Sequence, residues 1–135
     1  YLVTFGDNFS TPEHVGTIGR SYPSDNEHNL SISTLDDGDL FTSVALTDDG
    51  SGLVVGAQRD DGSDGTATNT GAVYLITFSN TDFDNPYHVG TIGSGYAGDN
   101  NKNISSILDN NNFLANVVLI PSIFHSFHML QDEKH

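Results

Sequence analysis

The chain has no cysteine, no tryptophan and only 4 lysines and arginines among its 135 residues. Without cysteine there is no disulfide, no thiolate metal site and no thiol nucleophile. That does not exclude an exported protein, since exported repeat proteins often lack disulfides. Without tryptophan the strongest aromatic platform for a sugar ring is missing. The scarcity of basic residues leaves 18 Asp and Glu unbalanced, for a formal charge of −14. A phosphate backbone would be repelled by such a chain, so no nucleic-acid partner is expected. No apolar run approaches the ~18 residues that span a bilayer, so no membrane span is expected. No Gly-x-Ser-x-Gly elbow is present, and the acidic pairs lie on turn sequences with no apolar pocket to raise one pKa. No catalytic residue is assigned, and the chain is not expected to be an enzyme. It opens inside a strand pattern at Tyr1 with no initiator Met and no leader, which predicts a fragment or a processed product.

What is present is short apolar runs set among Gly, Asp, Asn, Ser and Thr. Apolar residues make up 36% of the chain and glycine contributes 14 residues, a composition of many short strands joined by polar turns. From Leu40 to Phe78 the runs Ser43–Leu46, Leu53–Ala57 and Ala72–Phe78 are each of strand length and rich in Val, Leu, Tyr and Phe. Asp-Gly turns separate them, which predicts an antiparallel meander.

The chain repeats itself. YLVTF at Tyr1–Phe5 returns as YLITF at Tyr74–Phe78 (74 − 1 = 73), and HVGTIG at His14–Gly19 returns at His88–Gly93 (88 − 14 = 74). Phe9 matches Phe83, Pro12 matches Pro86 and Tyr22 matches Tyr96. The motif Asn29-Leu30-Ser31 aligns with Asn103-Ile104-Ser105, and Leu35-Asp36 with Leu108-Asp109. The complete unit holds Ser43–Leu46, Leu53–Ala57, Ala72–Phe78 and His88–Gly93, and four strands per self-similar unit is the pattern of a propeller blade. The expected organisation is a partial blade in 1–39, a complete blade with linker in 40–112, and a third unit beginning at Phe113–Leu119 within 113–135. The last of these ends in a divergent tail, Pro121–His135, that could form a short helix.

The central stretch resembles the FG-GAP repeat of integrin-alpha-like β-propellers, in its bacterial surface-protein form. The residues that carry the resemblance are Phe41, Ser43-Val44-Ala45, Asp49-Gly50, Leu53-Val54-Val55-Gly56-Ala57 and Gly71-Ala72-Val73-Tyr74. Thr42 stands where the family has Gly, and Gln58 where it has Pro. The resemblance implies an all-β fold of antiparallel four-stranded blades, extracellular or cell-surface adhesion or ligand recognition, and calcium in blade loops. Propellers close with ~4–8 blades. One chain with a single complete blade is therefore an incomplete propeller, and a homo-oligomer or a larger parent chain is expected.

The candidate metal ligands are Asp60, Asp61 and Asp64 in RDDGSDG, with Asp48 and Asp49 in the preceding turn. Closely spaced carboxylates on a glycine-bearing loop can supply several of the six to eight oxygens that calcium takes. Asp36, Asp37 and Asp39 form a third acidic cluster. Ordinary Asp-Gly turns explain the same pattern through local hydrogen bonds. His14 and His88 are repeat-equivalent strand-start residues expected to pack locally, and His125 and His128 share a face if the tail is helical. Asn8, Asn29 and Asn103 lie in Asn-x-Ser sequons. Tyr22 and Tyr96, in equivalent loops, are the candidate ligand-binding aromatics. The expected function is that of an extracellular structural or adhesive repeat protein, calcium-stabilised and assembling through incomplete blades. The alternatives are a carbohydrate-binding module formed by oligomerised blades and a self-assembling fibre subunit. Protein or glycan ligands fit either, and a fragment of a larger propeller enzyme would need catalytic residues from elsewhere.

Overall fold

A computed structural model describes residues 1–23, 25–111 and 114, and the expected third unit and tail helix lie outside these residues. The described chain is all-β, with no α-helix. The first unit contributes strands β1 (Leu2–Thr4), β2 (Glu13–Gly16), β3 (Ile18–Gly19) and β4 (Leu30–Ser31). The second contributes β5 (Phe41–Leu46), β6 (Gly52–Ala57), β7 (Ala72–Thr77), β8 (Tyr87–Gly93) and β9 (Lys102–Asn103). β5 to β8 form an antiparallel meander in chain order, as expected. β9 then adds in parallel to β8, which makes the sheet five-stranded and mixed. None of the described sheets closes on itself.

The turns that separate these strands are built as their sequences dictate. Gly50 takes φ +70° in the β5–β6 turn, where Thr47 and Asp49 bind the backbone of Ser51 and Gly52. Thr42, which replaces the small residue of the resembled motif, falls at a bulge between the paired Phe41 and Ser43. A bulge absorbs an extra residue, so a larger side chain is tolerated there.

The core lies between the units. β6 and β7 place Leu53, Val55 and Ala57, and Ala72, Tyr74 and Ile76, on one face at the strand period of two. Those residues join Leu2, Ile32 and Leu35 of the first unit in a single buried cluster. The first unit has no counterpart of β5 and β6. It covers β6 and β7 but leaves β5 overhanging, with Val44 67% and Leu46 48% exposed.

The repeat is reproduced in three dimensions, with one correction to its alignment. In both units the strand pairing slips at the same place, between Leu2 and Val3 and between Leu75 and Ile76. Tyr1 packs edge-on to His14 as Tyr74 packs on His88. Past the second strand, Thr17 donates its N–H to Asn29 at 2.9 Å, whereas Thr91 donates to Asn101 at 2.7 Å. The structural partner of Asn29 is therefore Asn101 (101 − 29 = 72) and not Asn103. Likewise the N–H of Leu35 donates to Ile32 and that of Ile107 to Ile104, so Ile107 and not Leu108 takes the place of Leu35. The loop from Tyr96 to Asn101 is two residues shorter than that from Tyr22 to Asn29. The Asn-x-Ser match drew the sequence alignment to the wrong asparagine.

In each unit the returning loop presses on a glycine of the second strand. A Cβ on Gly16 would meet the His28 carbonyl oxygen at 2.2 Å, and one on Gly90 would meet that of Asn100 at 2.5 Å. Backbone cannot retreat as a side chain can, so the HVGTIG motif needs its first glycine for this approach. Gly90→Ala is expected to destabilise by ~1–3 kcal/mol, the usual cost of overpacking. The urea midpoint should fall at unchanged slope, and a variant as stable as the parent would refute the role assigned to Gly90.

Candidate functional site

Asp60 lies early in the long β6–β7 loop and is 1% exposed. Burying a carboxyl is costly unless its oxygens are hydrogen-bonded. Here the hydroxyl of Tyr74 donates to Oδ2 at 2.5 Å, and that of Tyr96 donates to Oδ2 at 2.9 Å. The N–H of Gly62 donates to Oδ1 at 2.8 Å. The Asp60 carbonyl accepts the Gly71 N–H at 3.0 Å, which closes the loop at its far end. Burial, then the bond to Asp60, raise the phenol pKa of Tyr74; burial is also the main cause for Tyr96. Asp60 is thus a structural anchor joining the loop to β7 and to the segment after β8.

The other acidic candidates serve turns. Asp61 accepts the Asn69 N–H at 2.7 Å. Asp64 accepts the N–H and hydroxyl of Thr66, and these bonds lower its pKa. Asp49 accepts the hydroxyls of Thr47 and Ser51 and the Ser51 N–H, which brings its pKa down to about 2. Asp48 is exposed in the same turn.

The fold does gather two acidic stretches that are distant in sequence. Asp39, in the linker from the first unit, has its pKa raised to about 6 by burial, with the charges of Asp60, Asp36 and Asp61 adding to the effect. Its Oδ2 accepts the Asp36 N–H at 2.8 Å. The linker residues Asp36 and Asp39 therefore lie within electrostatic reach of Asp60 and Asp61.

Among the described residues, Glu27, His28 and Asp84 form the one group whose nitrogen and carboxylate ligand atoms all lie within 4.8 Å of one another. His28 Nδ1 lies 3.2 Å from Asp84 Oδ1 and 3.2 Å from the Phe83 carbonyl, and Nε2 lies 3.8 Å from Glu27. The Asn85 N–H donates to the Glu27 carbonyl at 3.0 Å. These contacts latch the first unit's linker to the β7–β8 turn of the second. Sequence reasoning missed the group because Asp84 lies 84 − 28 = 56 residues beyond His28, with no local motif to join them.

The remaining sequence candidates fall as follows. His14 and His88 each contact the threonine three residues on, at 3.2 and 2.9 Å. Burial lowers the pKa of His88. Tyr96 is 4% exposed and committed to Asp60, whereas its repeat partner Tyr22 is 38% exposed. The two loop tyrosines therefore do not offer matching exposed rings. The Asn29 amide is held by Thr17 and Pro23, and the Asn103 carbonyl oxygen by Gly95 and Ser105. His125 and His128 lie outside the described residues. No described helix is long and apolar enough to cross a membrane. No protein-family model, curated protein or solved structure matches the chain.

Two outcomes are expected. Tyr74→Phe removes one donor from a buried carboxyl and should cost ~1–3 kcal/mol, read as a lower urea midpoint. Asp39 carries a folded pKa above its unfolded one, so the folded state binds more protons between about 4 and about 6. Its contribution to stability is present at low pH and is lost as pH rises through that window. Asp39→Asn should therefore melt higher than the parent at pH 7 and equal to it near pH 4. Equal melting at both pH values would refute the assignment.

Proposed function

We propose that the chain is an extracellular structural or adhesive repeat protein of FG-GAP type. In this reading it is built of antiparallel four-stranded blades and assembles through incomplete ones, with calcium as a stabiliser. The observation that carries the reading is the packing of a four-stranded meander against a partial copy of the same sequence unit. β5 to β8 make the meander, and its face bearing Leu53, Val55, Tyr74 and Ile76 packs on Leu2, Ile32 and Leu35 of the partial first unit. Blades of a propeller bury their faces against one another in this way.

Calcium enters the reading through the acidic loop sequence, with Asp36, Asp60 and Asp61 near enough for their charges to act on Asp39. Carboxylates held near one another repel, and a divalent cation offsets that repulsion. Asp61 and Asp39 are the residues best placed to contribute, because Asp60 is spent on Tyr74 and Tyr96. The Glu27, His28 and Asp84 group is already satisfied as a latch. A carbohydrate platform is less well supported, since Tyr96 is buried.

The test is thermal melting of the full chain with calcium and then with chelator. Calcium at 100 times its dissociation constant should stabilise by ~2.7 kcal/mol, and extracellular modules bind it at ~10⁻⁴–10⁻³ M. The effect should disappear in Asp39→Asn/Asp61→Asn. Indifference to calcium at about 10–100 mM would remove the metal from the proposal.

A further inference from the structure

The two units are alike, yet their faces meet different fates. Leu2, Ile32 and Leu35 of the first unit are buried against the second, with Val15 packed beside them. Their structural equivalents in the second unit are Leu75, Ile104, Ile107 and Val89. Leu75 and Val89 line an open apolar groove with Val54, and Ile107 is 73% exposed. The groove side of the second unit thus repeats a surface that, in the first unit, is covered by a neighbouring sheet.

The opposite face shows the converse. Tyr74 and Phe78 are buried, at 0% and 7% exposure, and Phe83 packs against them. Their equivalents in the first unit are Tyr1, 89% exposed, Phe5, 52% exposed, and Phe9, 83% exposed. Phe5 and Phe9 stack edge-on at 5.6 Å, as Phe78 and Phe83 do at 5.0 Å. The first unit therefore presents an aromatic face whose copy is buried, and the second presents an aliphatic face whose copy does the burying.

We propose that the chain associates head to tail with a second copy of itself, the Tyr1, Phe5 and Phe9 face of one copy seating on the Leu75, Val89 and Ile107 face of the next. The template is the contact between the two units within one chain. The contact joins two different patches, so it is heterologous, and repetition gives a ring or an open filament. The docking faces are uncharged at these residues while the chain carries −14, so association strengthens as salt screens the repulsion. The inference rests on the reading of the chain as an assembling repeat, and it names the surfaces and the partner.

The test is molar mass by sedimentation or light scattering across concentration, on the full chain. A head variant, Phe5→Asp/Phe9→Asp, and a tail variant, Ile107→Asp, alter exposed positions and so spare the fold. The parent should exceed its 14.5 kDa monomer mass as concentration rises, and more so in high salt. Each variant alone should remain at 14.5 kDa. An equimolar mixture should stop at a dimer of 2 × 14.5 = 29 kDa, because it contains one intact head and one intact tail. The chain has no native cysteine, so Phe9→Cys mixed with Ile107→Cys should also cross-link between chains. If the parent assembles and the variants assemble equally, the faces are wrongly assigned while the assembly reading stands. If the variants are monomeric but fail to pair on mixing, the head-to-tail geometry is wrong. If the parent is monomeric throughout, the inference and the assembly reading fall together.

Discussion

The arrangement of the second unit depends on one buried carboxyl. Asp60 receives hydrogen bonds from Tyr74 on β7, from Tyr96 beyond β8 and from Gly62 in its own loop. A buried carboxyl short of donors is a liability of several kcal/mol, so these groups hold one another in place. The first unit has no β6 and hence no equivalent of Asp60. The consequence is visible in its repeat-related tyrosines. Tyr22 is exposed where Tyr96 is buried, and Tyr1 is exposed where Tyr74 is buried. Similar sequences adopt similar backbones in the two units, and the aromatic rings are enclosed only where β6, Asp60 and a neighbouring unit's face lie against them.

The junction between the units has two components of different character. The apolar cluster of Leu2, Ile32 and Leu35 against β6 and β7 supplies burial, which is non-directional. The contacts of Glu27 and His28 with Phe83, Asp84 and Asn85 supply direction, because hydrogen bonds fix distance and angle. Burial alone would let one sheet slide over the other. The polar latch at the end of the sheets fixes the register.

Much of this fold was legible in the sequence. The four strands of the second unit were readable because each is a short apolar run bounded by Asp, Gly or Asn, and because Tyr1–Phe5 and His14–Gly19 recur. Their ends shifted by a residue or two, to Phe41–Leu46 and Gly52–Ala57 for instance. The two-residue strands Leu30–Ser31 and Lys102–Asn103 were not readable, since two residues carry no periodicity and their pairing is parallel and non-local. The acidic loops were recognised as special, but the role of Asp60 was not. RDDGSDG looks the same whether its first aspartate faces solvent or two tyrosine hydroxyls. That choice is made by Tyr74 and Tyr96, which lie 14 and 36 residues further along.

The distribution of charge explains how so acidic a chain holds together and what would govern its contacts. β5, β6 and β7 contain no ionisable group other than Tyr74, and the aspartates sit in turns and linkers at the ends of the strands. Repulsion therefore acts between loops, across solvent, where it is screened over ~10 Å at 0.1 M salt. Apolar contact acts between faces that carry no charge and is far less sensitive to ionic strength. The two effects are spatially separated. Raising the salt or binding a cation at the loops weakens the repulsion without touching the attraction. At Asp39 this separation is least complete: burial, with the charges of Asp60, Asp36 and Asp61 adding to it, raises the carboxyl pKa to about 6. The loop charges thus act on stability through screening, and the association proposed above would respond to the same charges.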